Sequence, residues 1–579
     1  MKILMKPLSA LLTCCLFLFF NVQVFAQEER KFSFVGGARG IVYADDLKED
    51  LPEPDTITAP KLNSGHVLAD LGINIRPNKS TEIQGMIRIR NDYGGFWGSG
   101  VSFDVRQLYI KGVIGGIVRY QLGDINYKMT KYTLWNSEQE IVSDMPVAFQ
   151  QQTDYLVNYD NFYNNDNSWR QQGAAAEFAL VFNKYVQELQ FHGVTTRMKA
   201  SNNSTLNDRL FSGLNLYLVQ SSFFEAGFNY ANVYDIPGTS SNTTVFHNPV
   251  MTGTLKFLFN RDDWNADAAA EFGTSKSRYD NDSIAPELKD QFFEITAGVK
   301  NLSSGLKVTG SVQRVGPDFR SPGSQSKRVN YSAYPAAYQR ISNDQTLRPI
   351  AMMDLMRESD LYYTQLNSGL TEINPSYDNI TPYGAATPNR QGWSLGALWE
   401  KEKFPVSVGA TWTSLQEVRG QGTVEPHHFS RLELSVESDI NQFLKNYSKM
   451  IHASFSYRMD ATDRQAEELV QQVDLKTNVA SFGLEVETFK SLDVLLGFQS
   501  VQYDGFDFLA VRNSYTEVVN FMEYEADGKE TMTALGLRYR FSEKIFLTGQ
   551  MSNLKVEDRT NTIPSYRIQQ FMLLFQMTF

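Results

Sequence analysis

The sequence predicts an all-β protein: a single large transmembrane antiparallel β-barrel of about 22 strands, in a range of roughly 18–22, with no amino-terminal plug domain. Three observations predict it. Apolar and polar residues alternate with period two through most of the chain. Short polar turns alternate with longer, more variable connections. The chain is 42% hydrophobic and 13% aromatic, yet beyond Ala26 it holds no apolar run of the ~18 residues a spanning helix needs.

The first 26 residues read as a secretory signal. Lys2 and Lys6 precede the apolar core "LSALLTCCLFLFF", and "VFA" supplies the small or aliphatic residues expected before a cut after Ala26. Residues 27–579 are then the barrel. Both cysteines, Cys14 and Cys15, fall inside the signal, so disulfides and thiolate metal sites are excluded from the mature chain. Without Lys2 and Lys6, 52 basic residues face 65 acidic ones, a net charge of −13. That balance argues against nucleic acid as a partner.

The alternation sets the expected strands: 32–43, 65–76, 81–92, 101–112, 117–127, 171–182, 186–199, 208–219, 223–234, 250–259, 264–276, 291–300, 305–315, 391–400, 406–417, 428–439, 450–460, 475–489, 494–503, 531–541, 545–557 and 566–579. In "TALGLRYRF", Leu535, Leu537, Tyr539 and Phe541 share one face, while Gly536, Arg538 and Arg540 share the other. In "WNADAAAEF", Trp264, Ala266, Ala268, Ala270 and Phe272 oppose Asn265, Asp267 and Glu271. Ten short turns, among them "PNKS" (77–80), "VIGG" (113–116) and "KSLD" (490–493), join the strands in pairs. Longer connections, including external loops at 129–170 and 316–390, join the pairs. An even strand count puts both termini on one side, the periplasmic one in bacterial barrels.

Aromatic residues mark the ends of the apolar faces. Phe571 and Phe579 lie eight residues apart, as do Trp264 and Phe272. Eight steps on a strand tilted by roughly 40° rise about 20 Å, close to the ~25 Å apolar band between the aromatic girdles of a membrane barrel. A water-soluble sandwich has no reason to repeat that spacing.

The final segment, "QQFMLLFQMTF", places Phe571, Phe575 and Phe579 on one face. It resembles the carboxy-terminal insertion signal of outer-membrane barrels, and the resemblance implies recognition by the barrel-insertion machinery. With its signal, acidic balance and asparagine- and tyrosine-rich loops, the chain resembles Bacteroidota-type outer-membrane proteins of a porin-like kind. That resemblance implies outer-membrane lipid as the surroundings.

The inward face carries both signs. Glu271, Glu433, Glu437, Glu485, Glu487, Arg458, Arg538 and Arg540 are the expected pore-lining residues. Charge on a barrel interior implies water or a polar filling. The acidic excess favours cations and neutral solutes, with Arg538 and Arg540 as the exception. Inward glycines recur, among them Gly213, Gly483 and Gly497, either to relieve strain or to admit a plug or loop backbone. Loops 129–170 and 316–390 are the candidates to restrict so wide a hole, and Tyr334, Tyr338, Tyr362 and Tyr363 could stack on a ligand or line a constriction.

No enzymatic activity, cofactor or metal is expected. The six histidines form no cluster at ligand spacing, and neither a zinc-protease motif nor a nucleophile elbow stands out. The sequence therefore predicts a porin-like channel or uptake barrel for small polar solutes. A scaffold or secretion component whose lumen is filled by a periplasmic or surface partner is the alternative.

Overall fold

The computed structural model describes residues 31–49, 62–93, 101–125, 127–137, 145–152, 171–326, 328–329, 362–363, 374–377, 379–401, 404–421, 423–444, 448–467, 472–513, 517–560 and 565–579. The expected signal, with its cysteines, lies outside them.

Twenty-two strands form one closed antiparallel sheet. They are β1 (Phe32–Glu49), β2 (Leu62–Asn78), β3 (Thr81–Asp92), β4 (Val101–Ile114), β5 (Val118–Ile125), β6 (Gln171–Val181), β7 (Glu188–Lys199), β8 (Asp208–Val219), β9 (Phe224–Ile236), β10 (Val245–Arg261) and β11 (Trp264–Asp280). The second half continues with β12 (Leu288–Asn301), β13 (Leu306–Val315), β14 (Arg390–Glu400), β15 (Val406–Gln416), β16 (His428–Asp439), β17 (Ile451–Arg464), β18 (Val473–Phe489), β19 (Leu492–Arg512), β20 (Val518–Ser542), β21 (Ile545–Asp558) and β22 (Tyr566–Thr578). No plug domain is seen among the described residues.

Closure is made by the two ends of the chain. β1 and β22 pair from Gly37 opposite Thr578 to Glu49 opposite Tyr566. Gly36 and Phe579 complete the seam with reciprocal backbone hydrogen bonds of 3.1 and 3.0 Å. No sheet edge is left, which is the condition for burying β-structure in hydrocarbon.

The exterior is apolar. Phe34, Leu71, Ile87, Phe103, Phe228, Phe272, Ile295, Leu395, Trp412, Leu535, Leu537 and Phe571 are all exposed on it. Their neighbours in sequence point inward, as the period of two requires. At the short-turn end Trp399 packs edge-on to Phe404, and Phe404 to Phe443, as an interfacial aromatic cluster does. No helix among the described residues is long and apolar enough to cross a membrane; the strands do so instead.

The strand limits depart furthest from expectation at one hairpin. Residues 504–530 read as a loop, but β19 and β20 continue through them in register, with Asp504 opposite Asp527 and Phe508 opposite Glu523. Glycines and charges interrupt the apolar face there, so the period-two signal fades while backbone pairing persists. β20, at 25 residues, is about 80 Å long at ~3.3 Å per residue. The hairpin therefore extends well beyond an apolar band of ~25 Å.

Candidate functional site

The lumen is the candidate site, and the connection between β5 and β6 shapes it. Its first described stretch, 127–137, lies against the inner wall of β7–β13. Tyr132 and Leu134 are fully buried there against Val194, Phe211, Val233, Phe246 and Phe292. The Tyr132 ring stacks on Phe292 at 3.9 Å between centroids, and Phe319 meets Phe292 edge-on at 5.0 Å. Lys131 Nζ donates to Glu294 Oε1 at 2.6 Å. Residues 135–137 pair in parallel with 324–326 of the β13–β14 connection, and Ser321 Oγ donates to the Tyr132 carbonyl at 2.8 Å. The two long connections are thus tied together inside the barrel.

The second described stretch lies on another wall. Helix α1 (Val147–Gln152) packs on β18, β19 and β20. Two inward glycines make room for it. A Cβ on Gly483 would stand 2.9 Å from Pro146 Cβ, and one on Gly497 would stand 3.0 Å from both Ala148 Cβ and the Phe149 ring. Gly213 admits Met129 Sδ in the same way, at 2.9 Å. Of the two readings of the inward glycines, close approach of a loop holds at these positions. Gly227, Gly396 and Gly409 instead face side chains of neighbouring strands.

The two described stretches of this connection therefore lie on well-separated walls of the barrel. β10 and β19 stand nine places apart in a ring whose farthest separation is eleven. Eight residue steps separate 137 from 145, a reach of at most about 26–29 Å. Held on both walls, this strap narrows the hole that a barrel of this size would otherwise leave. Tyr132→Ala should release its anchor. Loss of a fully buried aromatic costs about 3 kcal/mol or more, and the expected sign is faster proteolytic nicking between 126 and 145 in the folded barrel.

The residues expected to line the pore alternate with the exposed apolar ones along their strands and do not converge on one point. Arg538 and Arg540 reach back across β19. Arg538 Nη2 lies 2.9 Å from Asp493 and also contacts Glu485, while Arg540 Nη2 lies 2.8 Å from Asp493 and 3.4 Å from Glu487. Asp493, fully buried, is the hub, and sequence reasoning missed it by placing it in the turn "KSLD". Glu433 stands opposite Arg458 in the β16–β17 register. Arg458 donates to the Tyr377 carbonyl at 2.6 Å and pairs with Asp460 at 3.1 Å. Glu271 stands opposite Glu294 near Lys131. Glu437 opens onto a separate cavity of 450 Å³ at the short-turn end.

Tyr334 and Tyr338 lie outside the described residues. Tyr362 and Tyr363 form a two-residue antiparallel bridge with Arg328–Val329. Phe571 and Phe579 are exposed on the outer face and Phe575 is half-buried there.

At the long-loop end, the β13–β14 connection re-enters against β17–β20. Thr477 Oγ1 donates to the Ser376 carbonyl at 3.0 Å, and Tyr524 OH donates to Asn374 at 2.8 Å. Beside this contact His427 is clamped between two carboxylates, with Nδ1 2.9 Å from Glu417 and Nε2 3.2 Å from Asp507. Burial alone would disfavour its charge, but the bonds from Asp507 and Glu417 outweigh burial and push its pKa up to about 9. Burial likewise opposes charge on Glu417, and the His427 hydrogen bond prevails, taking it down to about 2.

The sign of the pH effect follows. A pKa raised above its unfolded value of 6.5 adds stability that is full below pH 6.5 and is lost as pH rises through about 9. Protease cleavage in the 417–427 connection should accelerate between pH 6.5 and 9.5. His427→Gln should flatten that dependence, referenced to a cleavage site elsewhere in the same chain. His427 is buried, while its neighbour His428 is exposed on the other face of the strand.

No family model matches this chain, and no curated relative does. Solved barrels resemble it over nearly their whole length. Pseudomonas aeruginosa OccK8 (OprE) is 7% identical, with a TM-score of 0.37 over 96% of this chain and 100% of its own. A BenF-like porin from Pseudomonas fluorescens Pf-5 is 10% identical, with 0.35 over 95% and 99%. The translocation pore of the P pilus usher PapC is 7% identical, with 0.30 over 94% and 100%. Overlaps this low name neither a family nor a cargo, and the assignment as a membrane barrel rests on the closed sheet and its apolar exterior.

Proposed function

We propose that the protein is an outer-membrane channel for small polar solutes, its lumen restricted by the strap between β5 and β6. The observation that carries this reading is the strap itself. Its described stretches lie on two walls of a lumen that is otherwise lined by charged and hydrogen-bonding side chains, which implies a watered path beside them. In this reading the short turns and both termini face the periplasm, the signal is removed on export, and Phe571, Phe575 and Phe579 serve recognition by the insertion machinery. The purified barrel in a planar bilayer should pass a steady ohmic current.

A lumen filled by a periplasmic or surface partner protein is the competing reading. The inner wall of β1, β21 and β22 is mixed, with Ile41, Leu554, Met572 and Leu574 buried beside Thr548, Gln550, Ser552 and Gln570. Electrical silence together with a stoichiometric co-purifying protein would favour that reading.

A further inference from the structure

The short-turn mouth is not uniform in charge. Between β2 and β7 it holds a cavity of 630 Å³, lined by Lys31, Arg76, Lys79, Lys111 and Arg119. The carboxylates on its lining are Glu82 and Glu177, so five permanent cations face two anions. Glu82 is shared by Lys111 at 3.0 Å and Arg76 at 3.3 Å, and accepts a further hydrogen bond from Tyr109 OH at 2.8 Å. Glu177 is shared by Arg119 at 3.2 Å and His192 at 2.9 Å. Lys31 and Lys79 pair with no carboxylate among the described residues. The cavity at 450 Å³ on the β12–β17 side has the opposite balance, with Lys300 and Lys401 against Glu400, Glu437 and Asp439. The basic character is therefore local, in a chain whose formal net charge is −11.

From this geometry we infer that the β2–β7 vestibule is a binding site for small oxyanions carrying two or more negative charges. Its volume falls within the ~300–1,000 Å³ of small-molecule sites. Low-dielectric walls on one side focus the field of the unpaired cations into the cavity. Lysines offer point charges on flexible stems, which suit carboxylate or phosphate oxygens without fixing one geometry. Tyr127, at the root of the strap, lines the same cavity, so an occupant would sit where the strap leaves the wall. The inference deepens the channel reading by naming a solute class, and it reverses the cation preference that the overall acidic excess suggests.

The test uses the detergent-solubilised full barrel and isothermal titration with citrate and with tripolyphosphate, which needs no current. Binding of either probe, weakened about tenfold or more (1.4 kcal/mol) by Lys31→Gln/Lys79→Gln and by raised salt, supports the site. Preference for citrate assigns polycarboxylates, and preference for tripolyphosphate assigns phosphorylated solutes. Lys79→Arg should retain binding, which separates lost charge from lost fold. Absence of binding heat for both probes, or binding indifferent to the double substitution, overturns the inference. If the bilayer were silent while the heats persisted, the channel reading alone would fail.

Discussion

Excising residues 127–152 and bridging the gap with a short Gly-Ser linker is expected to raise the single-channel conductance severalfold. The barrel itself should survive, because each strand keeps both of its ladder partners. The deletion uncovers Phe211, Phe246 and Phe292 on the inner wall, so some stability is lost with the gain in current. A milder variant separates the two effects. Gly497→Leu pushes a side chain into the space held by Ala148 and Phe149 and should lift helix α1 from β19 without shortening the chain. Conductance should rise or become noisy in this variant too. Conductance identical to wild type in both would remove the strap from the conducting path.

The second large effect is expected at Asp493. Its carboxylate holds Arg538 and Arg540 at once and is fully buried. Asp493→Asn keeps the shape but leaves two guanidinium groups short of an anion. Breaking a buried pair from one side costs about 3–5 kcal/mol. Both arginines retain a glutamate, Glu485 for one and Glu487 for the other, so the lower end of that range is expected. The unheated-to-heated shift on gel electrophoresis should occur at a distinctly lower temperature. Asp493→Leu with Arg538→Met, Arg540→Met, Glu485→Leu and Glu487→Gln, which removes every charge of the cluster, should recover part of the loss. A midpoint unchanged in Asp493→Asn would mean that water already screens the cluster.

The strands were legible in the sequence because one physical rule acts on each of them. Lipid outside and polar lumen inside force alternation, and Leu535, Leu537, Tyr539 and Phe541 against Arg538 and Arg540 show it without any tertiary information. The long β19–β20 hairpin was less legible, since past the apolar band nothing demands a greasy face and the pattern at 504–530 dissolves. The site was harder. α1 is six residues of "VAFQQQ", too short for a helical period to declare itself. Its docking surface was visible only as glycines at 483 and 497, which fitted strain relief equally well. The His427 clamp joins residues 10 and 80 positions away, a proximity set by the register of separate strands. Asp493 was hidden by a one-residue question, whether β19 starts before or after it.

The central claim is that residues 145–152 sit against the inner wall of β19, across from the stretch that anchors on Phe292. Cysteines at Ala148 and Gly497 test it in intact cells, since the only native cysteines, Cys14 and Cys15, fall in the expected signal. The Cβ positions lie 3.0 Å apart, close enough for a disulfide after a small adjustment. Mild oxidation should link the pair nearly completely, while Ala148→Cys paired with Gly536→Cys stays reduced. Free thiols at both positions after oxidation, in a barrel that still shows its heat-dependent gel shift, would contradict the strap.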